Sequence, residues 1–307
     1  MDQPTPLSLN FFGAAVVIYS LSVVAFVLHL AFRRRFLEVT ALGLVIIGWP
    51  LHSASVVFRA LEGGHWPLGD MYEYSTGISL VVVTTALVLM LVKRMRLIGL
   101  PAMAIAVGLL GVGYMTYVPP GNLVPALHSY WLTIHVTAMA SSSGILTFSF
   151  LFGMGYLARL WADERLDRSG GSARLGPGAA TAGAVGRRGG AGLALAGGVQ
   201  RLLPSAATLD AWSYRFVALG FPIWTFGVMC GAVWGEHAWG RYWGWDPKET
   251  FALVTWIVFA IYLHARVTMG WRGKRAAAIT GVGFVAILFT LYAVNLWIAG
   301  LHSYARA

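Results

Sequence analysis

Residues 10–32 read NFFGAAVVIYSLSVVAFVLHLAF and run directly into Arg33, Arg34 and Arg35. At a rise of about 1.5 Å per residue, these 23 residues make a helix of about 35 Å, enough for the roughly 30 Å hydrocarbon core of a bilayer. A helix is the form such a stretch takes in lipid, because it satisfies its own backbone N–H and C=O groups where there is no water. The preceding MDQPTP carries no basic residue and no small-residue cleavage site follows, so the segment reads as a span and not as a signal peptide.

Seven further stretches have the same character: 37–58, 74–92, 97–118, 132–158, 216–234, 250–267 and 276–299. The composition agrees. Of 307 residues 58% are hydrophobic and only 11% are charged, under half the roughly 25% of soluble domains. A water-soluble fold of this size cannot hide so much apolar surface. That argues against a soluble enzyme, a disordered chain and a nucleic-acid-binding domain. The expected fold is all-α, a polytopic membrane protein of about eight transmembrane helices.

The net charge of +10 has a topological explanation. Arg33–Arg35 follow span one, and Lys93, Arg94 and Arg96 follow span three. Arg159, Arg165, Arg168, Arg174, Arg187, Arg188, Arg201 and Arg215 lie between spans five and six, and Arg266, Arg272, Lys274 and Arg275 follow span seven. If eight spans alternate, all four connections share one side, and basic residues mark that side as cytoplasmic. Both termini are then extracytoplasmic, the location is the plasma membrane, and no nucleic-acid partner is needed. Residues 166–208, rich in Gly, Ala and Arg without amphipathic period, read as a flexible cytoplasmic linker between a five-span bundle (1–165) and a three-span region (209–307).

The lone cysteine, Cys230, cannot make an internal disulfide, a CxxC pair or a thiolate metal site. The informative residues lie in three connections on the other side: GGHWPLGDMYEY (63–74), VPPGNLVPALHSYWLTIH (118–135) and VWGEHAWGRYWGWDPKET (233–250). The last holds Trp234, Trp239, Trp243 and Trp245, interleaved with Gly235, Gly240 and Gly244. Tryptophans at this level make either an interfacial aromatic belt or, with glycines allowing close backbone approach, a platform for a large planar ligand. His135 and His302 fall at the same level, where two neutral imidazoles could hold a haem iron axially or simply be hydrogen-bonded at the interface. His264 and His29 lie near the inner ends of their spans, where ionisable groups are functional candidates.

The run WGRYWGWDPKETFALVTWIVFAIYLHAR (239–266) resembles the tryptophan-rich "WWD" signature of haem-handling proteins in cytochrome c maturation. Its DPKE, TW and YLHAR elements are most similar to the CcsA/ResC family of the System II cytochrome c synthase. LDAWSYRFVALGFPIWTFGVMCGAVW (209–234), GHWPLGDMYEYSTGISL (64–80), HSYWLTIHV (128–136) and NLWIAGLHSYA (295–305) resemble other segments of that family. The linker and Met71-Tyr72-Glu73, where the family more often has Leu-Tyr-Glu, depart from its pattern.

The resemblance implies roles. His135 and His302 would be the extracytoplasmic axial ligands of haem b, held against the tryptophan loop. His264 would bind haem on its way across, with a second ligand from a CcsB/ResB-type partner subunit, or from His29 on the residues' own reading. Arg241 and Lys248 are the nearest loop cations for the propionates. Asp246 and Glu249 read either as an acid/base pair or, more commonly for a Trp-Asp-Pro turn, as backbone-binding groups. The implied reaction joins two thiols of an apocytochrome c CxxCH motif to the haem vinyl groups, with a thiol-reducing system keeping the substrate reduced. The alternatives are a haem exporter or chaperone that makes no thioether, a b-type electron-transfer protein, and an assembly subunit with an ordinary aromatic belt.

Overall fold

The computed structural model of the chain describes residues 5–121, 123, 127–173, 186–298 and 300. In order, its helices are α1 (Leu7–Phe32), α2 (Arg35–Gly63), α3 (Met71–Leu91), α4 (Gly99–Met115), α5 (Tyr130–Ala173), α6 (Gly186–Leu202), α7 (Ala206–Trp239), α8 (Pro247–Thr268) and α9 (Lys274–Leu288). α9 continues through a π turn, Phe289–Ala293, into α10 (Val294–Trp297). Eight of the helical stretches are long and apolar enough to cross a membrane, and no strand is present among the described residues.

The helices are longer than hydropathy alone marks. α7 runs to Trp239, so the first seven residues of the expected 233–250 connection are helix. It stops where Gly240 takes φ +69° and its N–H caps the Glu236 carbonyl, a conformation that glycine adopts without penalty. The expected linker is also helical in part. α5 continues to Ala173 and α6 packs on α5. Arg159 anchors the end of α6, donating through Nη1 to the carbonyls of Gln200, Leu203 and Pro204, and through Nε to Asp163 at 3.0 Å.

α5 is the hub. Seventy-eight per cent of its spanning stretch is buried, against 28–50% in the other seven. It packs most extensively on α7, and also on α9 and α3. The α5–α7 seam is close because α7 presents glycines there: a Cβ on Gly220 would lie 2.7 Å from Leu146, and one on Gly227 would lie 2.7 Å from Met139 Sδ. Small residues let helix backbones approach in lipid, where dispersion and hydrogen bonds replace the hydrophobic effect. Ser142 Oγ exploits that approach by donating to the Gly220 carbonyl at 2.7 Å.

The antiparallel order gives the bundle two distinct ends. At one lie the 64–70 and 240–246 connections and the described residues 116–121, 123 and 127–129. At the other lie the arginine-rich ones, where Arg266 pairs with Asp210 at 2.6 Å and Lys274 with Glu164 at 2.9 Å.

Candidate functional site

A cleft with about 1070 Å³ of empty space, its open mouth included, lies at the tryptophan end between α3, α5, α7, α8 and the π turn. Most of its wall is apolar or aromatic, and a few polar groups converge on it: Asp70, His135, Lys248, Glu249 and Asn295. That is the usual make-up of a small-molecule or cofactor site.

His135 enters from the first turns of α5. Its Nδ1 lies 2.7 Å from the Gly227 carbonyl, and a carbonyl only accepts, so Nδ1 carries the proton and the lone pair of the neutral ring is on Nε2. The ring lies nearly parallel to the Trp234 indole, 13° between planes and 6.3 Å between centroids. It fits there because residue 231 is glycine: a Cβ would come within 2.6 Å of His135 Nδ1 and Cε1. An imidazole fixed through Nδ1 to a backbone carbonyl, with a defined tautomer and plane, is the arrangement expected of a metal-ligating histidine.

The four tryptophans separate into three environments. Trp234 is 1% exposed and Trp239 packs edge-on behind it, 4.7 Å between centroids. Trp243 lines the cleft with Tyr242 and Trp234. Trp245 is 68% exposed and meets Trp243 at 89°. Its φ is +57°, a region that a bulky side chain enters at a cost of order 1–3 kcal/mol.

The sequence Asp246-Pro247-Lys248-Glu249 starts α8 with a capping box. Asp246 is the N-cap and accepts from the Lys248 N–H at 3.2 Å. Glu249 Oε2 accepts from the Gly244 and Asp246 N–H groups at 2.8 and 3.1 Å. Both carboxylates therefore bind backbone. Lys248 reaches into the cleft and donates to Asn295 Oδ1 at 3.1 Å. Arg241 does not line the cleft, and its guanidinium lies against Gly244, in space that a Cβ there would occupy.

His302 lies outside the described residues. His264 is exposed on α8 toward the arginine end, on the face that carries Val254, Ile257 and Ile261. His29 faces the Arg34 carbonyl at 3.0 Å, on α1, which packs mainly on α2 and α4. Nothing in the fold brings His29 and His264 together.

Sequence reading missed the far wall. Arg59, 3% exposed near the end of α2, donates Nε to Glu73 at 2.7 Å and Nη2 to Asp70 at 2.9 Å. Glu73 Oε2 accepts from Gly69 N–H at 2.7 Å, so one ion cluster fixes the 64–70 connection. Asp70 also caps α3 through the Glu73 N–H at 2.8 Å. Burial, and then the Glu73 carboxylate, push the Asp70 carboxyl up to about 6 against the pull of Arg59. The available signal was a basic residue at a span end, followed by two carboxylates 11 and 14 residues on.

Comparison with known proteins bears on this site directly. The family model described as "Cytochrome C assembly protein" matches residues 68–302, which includes the cleft residues Asp70, His135, Trp243 and Lys248. The cytochrome c biogenesis protein CcsA of Gloeobacter violaceus is 36% identical over 80% of this chain and 80% of its own. CcsA of Synechococcus elongatus is 38% identical over 80% of this chain and 81% of its own. A solved structure named cytochrome c heme lyase CcmF shares the fold at a TM-score of 0.65 and 16% identity, over 95% of this chain and 47% of that one. With the family model matched over most of its length and relatives more than one-third identical across four-fifths of it, this chain belongs to the cytochrome c assembly protein family.

Proposed function

We propose that this cytochrome c biogenesis protein holds haem b as substrate in the tryptophan-walled cleft and presents it to the CxxCH motif of an exported apocytochrome c. In this reading the tryptophan end faces the extracytoplasmic side of the plasma membrane, since the basic connections gather at the other end. Attachment is a synthase activity shared with a CcsB/ResB-type membrane subunit. The observation that carries the reading is His135: it lines the cleft, its tautomer is set by Gly227, and its plane is set by Trp234.

His302 supplies the second axial position. A Cβ on Gly300 would lie 2.7 Å from Asp246 Oδ1, so the chain reaches the α8 N-cap two residues before His302. Trp243 and Trp234 bound the ring plane. Lys248 meets a propionate from inside the cleft, and Arg241 meets one at the rim. His264, exposed on α8, binds haem in transit with a ligand from the partner subunit.

Each thioether forms by addition of S–H across a vinyl C=C: sulfur bonds to one carbon and the thiol hydrogen ends on the other. No oxidant or reductant is consumed, but the thiols must arrive reduced, which calls for a thiol-reducing system. The chain offers no thiol of its own, because Cys230 is 3% exposed. Its contribution is orientation, which in a well-aligned site lowers a barrier by several kcal/mol. The substrate's own histidine then takes one axial position and releases the product.

The test is a reduced-minus-oxidised haem spectrum of the protein purified with its partner, beside His135→Ala and His302→Ala. The expected result is b-type haem in wild type that each variant loses or alters. Haem absent from wild type, or unchanged in both variants, overturns the assignment. Covalent product lost while haem stays bound separates the synthase from a haem exporter.

A further inference from the structure

A second hollow, about 650 Å³ of empty space, opens beside the cleft between the 64–70 connection and the start of α5. Leu68, Gly69, Leu127 and Leu132 line both spaces, so a partition one residue thick divides them. The hollow is held open by its own clips. The His65 ring nitrogens face the carbonyls of Trp66 at 2.9 Å and Gly121 at 3.2 Å, and His128 Nε2 faces Leu123 O at 3.2 Å.

The chemistry of the hollow differs from that of the cleft. Among the described residues, no Lys, Arg, Asp or Glu lines it. An anionic lipid headgroup or free phosphate therefore finds no counter-charge there. It does carry uncommitted hydrogen-bonding groups. Ser129, Tyr130, Thr133 and Trp66 line the hollow, and their side chains make no hydrogen bond among the described residues. Neutral donors and acceptors beside an aromatic surface suit a peptide main chain, and they tolerate any side chains between two fixed positions.

We propose that this hollow is the dock for the CxxCH-bearing segment of the substrate, bound in extended form through its main chain. The assignment rests on the haem reading of the neighbouring cleft and adds the place from which the thiols approach. Five extended residues reach about 17 Å, so cysteines on a segment seated here pass over the Leu68–Leu127–Leu132 partition to the edge of the cleft. The division of labour follows: the cleft fixes the ring, and the hollow fixes the peptide.

The test uses the full chain with its partner subunit in membranes, and a synthetic peptide carrying Cys-x-x-Cys-His as probe. A Ser129→Ala/Tyr130→Phe/Thr133→Val variant removes three hydroxyls while keeping volume and helix. The expected result is an unchanged haem spectrum, an unchanged kcat for thioether formation, and an apparent KM for the peptide raised about tenfold or more. That pattern marks lost uniform binding. A photo-reactive benzoylphenylalanine at Tyr130 cross-links the peptide, and excess Ser-x-x-Ser-His peptide competes. An unchanged KM with haem bound, or cross-linking to lipid alone, overturns the dock. Absence of haem from the wild-type complex overturns the reading on which it rests.

Discussion

Replacing Gly231 by alanine tests the site through a residue that has no side chain of its own and backs the His135 ring. The new methyl would sit 2.6 Å from both Nδ1 and Cε1 of His135 and 3.3 Å from its Cγ. Carbon contacts are comfortable at about 3.5–4.0 Å, so the ring has to retreat by about 1 Å. A shift of that size along the bond stretches the 2.7 Å contact of Nδ1 with the Gly227 carbonyl past hydrogen-bonding range. The fold bears an overpacking cost of ~1–3 kcal/mol. The ring loses the partner that orders its tautomer, a kind of change that typically weakens metal binding about 10–100-fold. The expected result is a protein that inserts and purifies with its partner, has haem occupancy reduced by that factor at limiting haem, and shows a shifted absorption maximum for what remains. Gly108→Ala is the control: a Cβ there meets nothing within 4 Å, and alanine is the better helix former. Full haem with an unchanged spectrum in Gly231→Ala would mean that His135 does not hold the iron, whatever else the cleft binds.

Three further outcomes follow from the cleft walls. Arg59→Met leaves the Asp70 and Glu73 carboxylates buried without their cation, which costs about 3–5 kcal/mol and lowers the melting temperature in detergent by of order 10 °C; an unchanged melt refutes the cluster as an anchor. Asp246→Ala removes the α8 cap at about 1 kcal/mol, whereas Asp246→Asn keeps an acceptor and melts close to wild type; equal losses in both speak for a role beyond capping. Asp70 gives a pH dependence. Because its carboxyl is raised in the native state, the stabilising proton is fully present below about 4 and is lost as pH rises to about 6. Asp70→Asn should therefore gain on wild type across that window and equal it in acid, read by tryptophan-fluorescence melts; parallel pH curves refute the assignment.

The reach of the sequence can be judged residue by residue. Eight spans were legible because length, hydropathy and flanking arginines act locally. Their ends were not. α7 outruns its hydrophobic stretch through Glu236, His237 and Trp239, since a helix end is fixed by a cap, here Gly240, and not by hydropathy. The 166–208 segment reads as linker because its weak pattern says nothing of Arg159, which holds the carbonyls of Gln200, Leu203 and Pro204 from 41 to 45 residues away. His135 and the tryptophans could be found as residue types at a shared level. The Gly227 carbonyl that orients His135 could not, because it depends on an α5–α7 seam that no single stretch encodes. The spacing of Gly220, Gly227 and Gly231, seven and four residues apart on one helix face, is the visible trace of that seam.

The tryptophan loop also shows why a structural residue and a binding residue need not be alternatives here. Glu249 ties down the N–H groups on both sides of Trp245, at Gly244 and Asp246. Between those two fixed points the backbone turns through the left-handed region at Trp245, which sends that indole outward while Trp243 lines the cleft. The strain of one tryptophan, of order 1–3 kcal/mol, is offset by a full capping box of comparable size. A loop held this way has little freedom left to lose when a planar ligand enters, so affinity is not spent on ordering it. Asp246 and Glu249 thus shape the cleft through the backbone: they fix the loop from which Trp243 enters its wall.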